Sequence, residues 1–170
     1  VCHDVLVDGC HMSVNDDAIA IKGGKGTWAD QAPENGPVYN VLIQNCHYGT
    51  VHGCLTLGSE SVKDRNIVLR NIKVDKAQRV LWLKMRPDTP QHYEYVTVDN
   101  IQGTTGSFLV IRPWTQFFKP GDRKDMPLSQ CNNITIKNIQ MDCDNFFDVG
   151  KSEKYRLVDF TFQEIGRAHV

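Results

Sequence analysis

The chain lacks most of the features that assign a protein to a class at a glance. Its six cysteines, Cys2, Cys10, Cys46, Cys54, Cys131 and Cys143, contain no CxxC pair, which argues against a zinc framework. They read first as free thiols that pack as small hydrophobes. The alternative is one disulfide formed in an oxidising compartment. The formal net charge is −1, so no general basic field recruits nucleic acid or an anionic membrane. Neither is expected as a partner, and any anionic ligand must be met by a few local cations. No apolar run reaches the length that spans a bilayer. The chain opens at Val1 in mid-pattern, without an initiator Met or a targeting segment, and is read as a piece of a longer protein. What is present is ordinary: 41% hydrophobic and 23% charged residues over 170 positions, enough for one domain with a core.

The informative feature is an internal repeat. Asp4-Val-Leu-Val-Asp-Gly-Cys10, Asn40-Val-Leu-Ile-Gln-Asn-Cys46 and Asn66-Ile-Val-Leu-Arg-Asn-Ile72 align with one another. Tyr95-Val-Thr-Val-Asp-Asn-Ile101 and Asn133-Ile-Thr-Ile-Lys-Asn-Ile139 continue the series, and Asp159-Phe-Thr-Phe begins a sixth member. Each is a short β-branched run with period-2 alternation, the pattern of a strand. A second set follows: Ala18–Lys22, Cys54–Gly58, Val80–Lys84, Phe108–Arg112 and Phe146–Gly150. Its offset from the Val or Ile of the first strand is 13 residues in three repeats and 12 in two. Strand, bend, strand and a variable return loop predict an all-β solenoid with parallel stacked coils.

Asn45, Asn71, Asn100 and Asn138 hold one place in four successive repeats. Asn tolerates a bend, and its amide can bond the coil above. Chance turn composition explains one or two such hits, not four in register. In the second strand set, Ile19 and Ile21, Leu55 and Leu57, Leu81 and Leu83, Leu109 and Ile111, Phe147 and Val149 share one parity, expected to face inward. The other parity (Ala18, Ala20, Lys22; Cys54, Thr56, Gly58; Val80, Trp82, Lys84; Phe108, Val110, Arg112) is expected to floor an exterior groove with a cationic end.

The same register puts Asp16 and Asp17 just before the second strand of the first coil, with His52 and Gly53 at the equivalent place one coil later. Coils stack about 5 Å apart, so Asp16, Asp17 and His52 should converge, with Lys84 at the far end of the adjoining face. Two neighbouring carboxylates suit the division between a proton donor and a water-activating base. Asn-Asp-Asp before a strand is equally an ordinary turn, so this pair alone does not define a site.

Three motifs together carry more. Asn15-Asp-Asp-Ala-Ile-Ala-Ile-Lys-Gly-Gly24 resembles the double-Asp motif of glycoside hydrolase family 28, the polygalacturonase and rhamnogalacturonan hydrolase group. His52-Gly-Cys-Leu-Thr-Leu-Gly-Ser-Glu60 resembles its Gly-His-Gly and Gly-Ser segments, and Leu81-Trp-Leu-Lys84 falls where that family has Arg-Ile-Lys. Order and coil position agree from residue 2 to about 163. The resemblance implies a right-handed single-stranded parallel β-helix. It implies an inverting hydrolase of α-galacturonosyl bonds in polygalacturonan or rhamnogalacturonan, endo or exo. By position, Asp16 matches the general acid, Asp17 a carboxylate that activates water, and His52 the histidine that orients the centre. Lys84 matches the lysine that holds a galacturonate carboxylate.

The pattern departs from the family in three places. The Asn-Thr-Asp motif, with its third carboxylate, would lie upstream of Val1, so residues 1–170 alone are expected to turn over little substrate. Trp82 stands where the family has arginine; Arg112 is the first choice to replace that cation, with Arg79 and Arg86 the alternatives. Val51 replaces the first glycine of Gly-His-Gly. Arg86-Pro-Asp88 and Arg112-Pro-Trp-Thr-Gln-Phe117 either contact distal sugars or only shape loops, and Trp28, in the long Gly-Gly-Lys-Gly-Thr-Trp loop, is a candidate cleft wall. His3, His11, His47 and His92 share no spacing and are expected to be structural or solvated.

No metal or cofactor is expected. The expected partner is an anionic, galacturonate-containing plant cell-wall polysaccharide, met by a monomer in the periplasm or outside the cell. Two competing classes are a calcium-dependent polysaccharide lyase and a non-catalytic carbohydrate-binding or adhesin module. Residues 1–163 form the expected domain. Residues 164–170, which include Ile165-Gly-Arg-Ala-His-Val170, resemble a translated sequencing adapter and are expected to be non-native.

Overall fold

The computed structural model describes residues 2–119 and 121–166. Nine strands follow in order: β1 (Cys2–Asp8), β2 (His11–Met12), β3 (Ile19–Gly23), β4 (Val38–Gln44), β5 (His47–Ser61), β6 (Lys63–Met85), β7 (His92–Pro113), β8 (Ser129–Val149) and β9 (Tyr155–Ile165). Among the described residues there is no helix. The fold is all-β and every strand pairing is parallel.

Pairing follows the repeat aligned from sequence. Val5, Val41, Ile67, Val96, Ile134 and Phe160 are successive partners along β1-β4-β6-β7-β8-β9. Ile19, Leu55, Leu81, Leu109 and Phe147 do the same along β3-β5-β6-β7-β8. A straight strand the length of β6 would span about 75 Å at its usual rise per residue. Instead Ile67 and Leu69 from its first half and Leu81 and Leu83 from its second half join one apolar cluster. β6 therefore bends around a shared interior. All four side chains are fully buried, and each stabilises the fold by about 1.5–3 kcal/mol relative to exposure.

The bends carry a conformational signature. Asn45, Asn71, Asn100 and Asn138 all have φ of 55°, the left-handed region that Asn enters more readily than other non-glycine residues. Gly9 (φ 65°) holds the equivalent place in the first repeat. The amides link upward: Asn71 Nδ2 donates to Asn45 Oδ1 (3.1 Å) and Asn100 Nδ2 to Asn71 Oδ1 (2.9 Å). The ladder ends there, because Asn138 Nδ2 donates to Asp99 Oδ1 (2.7 Å) instead. A second series, at the first residue of each repeat, was not anticipated. Asp4, Asn40, Asn66, Tyr95, Asn133 and Asp159 have φ between 54° and 56°, and Asn66 and Asn40 each donate one coil back. Glu164 keeps the ladder conformation (φ 51°) and Ile165 pairs with Ile139; residues 167–170 of the suspected tail lie outside the described residues.

Two expectations about the faces need correction. Cys54, Val80 and Phe108 were placed on the exterior parity, yet all three are fully buried in the apolar cluster. They stand where the chain enters its second strand, and there simple alternation does not decide direction. Phe147 and Val149 were placed inside, yet they are 54% and 43% exposed. Their β8 segment pairs with β7 on one side, while β9 pairs only as far as Ile139, so no described strand covers them. All six cysteines are free, and Cys46, Cys54, Cys131 and Cys143 are buried.

Candidate active site

Parallel pairing fixes the first part of the site. The His52 N–H donates to the Asp16 carbonyl (3.1 Å), and the Ala18 N–H donates to the Gly53 carbonyl (2.8 Å). Asp16-Asp17 is thereby laid against His52-Gly53. Asp16 Oδ1 accepts the Asp17 N–H at 2.8 Å and lies 3.9 Å from His52 Nδ1. The Asp16 side chain is 89% exposed and that of His52 45% exposed. Both face solvent.

Asp17 points the other way. Its side chain is 6% exposed, and its Oδ2 accepts a hydrogen bond from Lys84 Nζ at 3.1 Å, with Lys84 itself 10% exposed. This pair reaches across β5, which lies between β3 and β6. Gly53 makes the approach possible. A Cβ there would stand 2.6 Å from Asp17 Oδ1 and 2.6 Å from Thr56 Oγ1. Beneath them the Cys54 thiol is pushed well above its ordinary range, by burial first and by the Asp17 charge second. It is a packing group rather than a nucleophile.

Aromatic rings complete the cluster. Lys84 Nζ sits 3.8 Å from the Trp82 ring centroid and 4.8 Å from that of Trp114. Arg79 Cζ lies 3.8 Å from the Trp82 ring, and Trp114 meets Trp82 edge-on at 5.2 Å. A desolvated cation on a tryptophan face gains about 2 kcal/mol. Burial lowers the basicity of Arg79, with Asp17 and Asp148 acting in the opposite sense. Its one side-chain hydrogen bond among the described residues is to Gln78 Oε1 at 3.3 Å. Arg79 is thus a guanidinium with donors to spare beside Asp17.

Asp16, Asp17, His52, Lys84, Trp82 and Arg79 therefore lie together. Arg112, the first choice among the replacement cations, is the strand partner of Lys84. It is 63% exposed and donates from Nε to Asp148 Oδ1 at 2.6 Å, so its charge is already met. Arg86 does not join the cluster, and its bonds are those of a residue that shapes a loop. It is 2% exposed and binds both Asp88 oxygens at 2.7 Å, and it also donates to the Gln116 and Phe117 carbonyls. A guanidinium with these partners, inside the protein, anchors the loop that follows Trp114.

Trp28 is 48% exposed. It is held by a hydrogen bond to Asp122 and by Arg123 over its ring, joining the loops after β3 and β7. Lys22 donates to Glu60 at 2.8 Å, and this bond holds the Glu60 carboxyl at about 2. The histidines expected to be structural or solvated have local partners: His3 with Asp4, His47 with Asp75 and His92 with Asn132. His11 meets the ring of His47. Among the described residues, no group of three or more His, Cys, Asp or Glu side chains is arranged to hold a metal ion.

Sequence reasoning missed two members. Trp114 was noted only as part of a loop motif, and Thr56 only as a small residue of the groove floor. The Trp114 signal was its position directly beyond the end of β7, two residues past Arg112, the strand partner of Lys84. No protein-family model, curated protein or solved structure matches this chain.

Proposed function

We propose that the chain is a right-handed single-stranded parallel β-helix. In this reading it carries the centre of an inverting glycosidase that cleaves α-galacturonosyl linkages in a pectic polysaccharide. The observation that carries the reading is the adjacency of an exposed carboxylate, Asp16, and a buried, ion-paired carboxylate, Asp17. They share one surface with His52, Lys84, Trp82 and Arg79.

Inverting hydrolysis divides its labour between an acid and a base. Asp16, in solvent beside His52, delivers a proton to the leaving glycosidic oxygen. Asp17, as a carboxylate, takes the proton of the attacking water. Lys84 and Arg79 supply positive charge for a uronate carboxylate. Trp82 holds these two cations in place, with Arg79 Cζ and Lys84 Nζ each 3.8 Å from its ring. A galacturonate polymer outside the cell, or in a periplasm, is the matching partner.

The test is product analysis with the complete gene product on polygalacturonan and rhamnogalacturonan. New reducing ends with inverted anomeric configuration support the reading. An unsaturated, ultraviolet-absorbing product that depends on calcium would replace hydrolysis with elimination. No product from either polymer, with binding retained, would leave a carbohydrate-binding module.

A further inference from the structure

Phe117 is 72% exposed, more than any other large apolar side chain among the described residues. Its φ is 56°, in the left-handed region, where a bulky residue is a clear outlier. Glycine would take that backbone without strain, and a polar side chain would suit the surrounding water. Phenylalanine is unfavourable on both counts, so packing does not explain it. Strain of this kind marks ligand-binding positions where the surrounding structure enforces it.

The enforcement comes from inside the protein. Buried Arg86 donates from Nη1 to the Gln116 carbonyl and from Nη2 to the Phe117 carbonyl, both at 3.1 Å. Its partner Asp88 accepts the Lys119 N–H at 3.0 Å. The Phe118 N–H closes the turn on the Thr115 carbonyl at 3.1 Å. One buried ion pair thus fixes the backbone on both sides of an exposed ring. A ring already held in place loses little freedom when a ligand settles on it. The loop also starts at the candidate site. Trp114, whose ring centroid is 4.8 Å from Lys84 Nζ, stands three residues earlier, so Phe117 is at most about 11 Å further along the chain.

Thr115, Gln116 and Lys119, around it in sequence, are exposed and polar, with Phe118 beside it 43% exposed. A stable protein interface needs about 1,000 Å² of complementary surface or more. A raised ring among polar neighbours suits instead a ligand that is apolar on its face and polar at its edge. A pyranose ring has that form. Other aromatic faces are already in use: Trp82 carries Arg79 and Lys84, each 3.8 Å from its ring centroid, and Trp28 carries Arg123 at 4.7 Å. We propose that Phe117 is a stacking platform for one sugar of the bound polysaccharide, beyond those held at Asp16 and Asp17. This rests on the pectic-polysaccharide reading above and extends its ligand past the catalytic centre.

The test is calorimetry on the complete gene product, with Asp16→Asn in place to prevent cleavage. Galacturonate oligomers from dimer to hexamer are the probes. Affinity should rise with length, and Phe117→Ala should cut that rise by about tenfold, the upper range for one aromatic contact. Phe117→Trp should keep it within about twofold. Phe117→Gly should lose the same affinity yet melt no lower than the parent, because glycine relieves the strain. A length dependence unchanged in Phe117→Ala overturns the inference. So does an equal loss for dimer and hexamer, which would mean a disturbed central site. A melting temperature lowered by Phe117→Gly would make the ring a packing group and overturns it too. Self-association of the parent that Phe117→Ala abolishes, with oligomer affinity unchanged, would give the ring to a second copy of the chain instead. A protein without Asp16→Asn that cleaves no uronan, while Phe117→Ala still flattens the length dependence, sinks the hydrolase reading alone. A parent that binds no oligomer of any length overturns both.

Discussion

Lys84 Nζ lies 3.1 Å from Asp17 Oδ2, and both side chains are at least nine-tenths buried. Removing one partner of such a pair leaves an uncompensated charge in the interior, at a typical cost of about 3–5 kcal/mol. Lys84→Met should therefore destabilise the protein by about that amount, measured by urea unfolding. The double variant Asp17→Asn, Lys84→Met removes both charges and should recover most of the loss. A Lys84→Met variant as stable as wild type would mean that the two groups are not paired in solution.

Arg86 and Asp88 form a second buried pair, 2% and 5% exposed. The same guanidinium holds the carbonyls of Gln116 and Phe117. Arg86→Met should cost about 3–5 kcal/mol. It should also release the loop that follows Trp114, so Trp114 should lose its fixed edge-on contact with Trp82. Near-ultraviolet circular dichroism of the folded variant reads that contact. An unchanged aromatic signal together with unchanged stability would restore Arg86 to the list of free, ligand-facing cations.

Asp64 gives the protein a pH dependence on the neutral side. It is fully buried, and Ser61 Oγ donates to its Oδ1 at 2.5 Å, while Oδ2 has no partner among the described residues. Burial raises its pKa from 3.8 to about 7, against the opposing Ser61 bond. Below 3.8 both folded and unfolded chains are protonated here, and this group adds no pH dependence. Between 3.8 and about 7 the unfolded chain has lost the proton that the folded chain keeps, so stability falls as pH rises. Above about 7 the slope from this group vanishes. Glu60 acts in the opposite sense lower down: its carboxyl is held at about 2 instead of 4.5, so stability falls as pH drops through that window. Thermal melts across pH 2–8 should therefore peak near pH 4, by the same linkage. Asp64→Asn should flatten the upper limb and leave the lower one. A wild-type profile that is flat from pH 4 to 7 would contradict the burial of a protonated Asp64.

The repeat was legible in the sequence because in-register parallel pairing turns a constant offset along the chain into a neighbour in space. Val41 meets Ile67, and Leu55 meets Leu81, as the alignment implied. The same rule brought Asp16, Asp17, His52 and Lys84 together without any contact being known. What the pattern left hidden was decided by bends and edges. Alternation assigns a face only within a straight strand, so Cys54, Val80 and Phe108, at the start of their second strands, were turned the wrong way. Phe147 and Val149 are exposed because the strand that would cover them is not among those described, which no local pattern announces. Arg86 read as a free cation because its acid partner sits only two residues away in a turn. The placing of Thr56 beside Asp17 depends on the close approach at Gly53, which composition does not reveal.

Asp16 and Asp17 differ so strongly in setting that their neutral replacements should separate stability from activity. Asp16 is 89% exposed at its side chain, and surface substitutions of this kind usually change stability by less than about 0.5 kcal/mol. Asp16→Asn should therefore unfold like wild type while losing about a hundredfold or more in turnover, since an amide cannot deliver the proton. Asp17→Asn leaves Lys84 buried opposite a neutral amide, so it should lose both turnover and about 3–5 kcal/mol of stability. The Asp17→Asn loss should shrink when Lys84 is also neutralised, whereas pairing Asp16→Asn with Lys84→Met should give additive stability changes. Denaturant curves and initial rates on wild type, the three single variants and the two double variants measure this. Asp16→Asn retaining full turnover would remove the proton donor from the mechanism, and equal stability losses for the two single variants would mean that their settings do not differ.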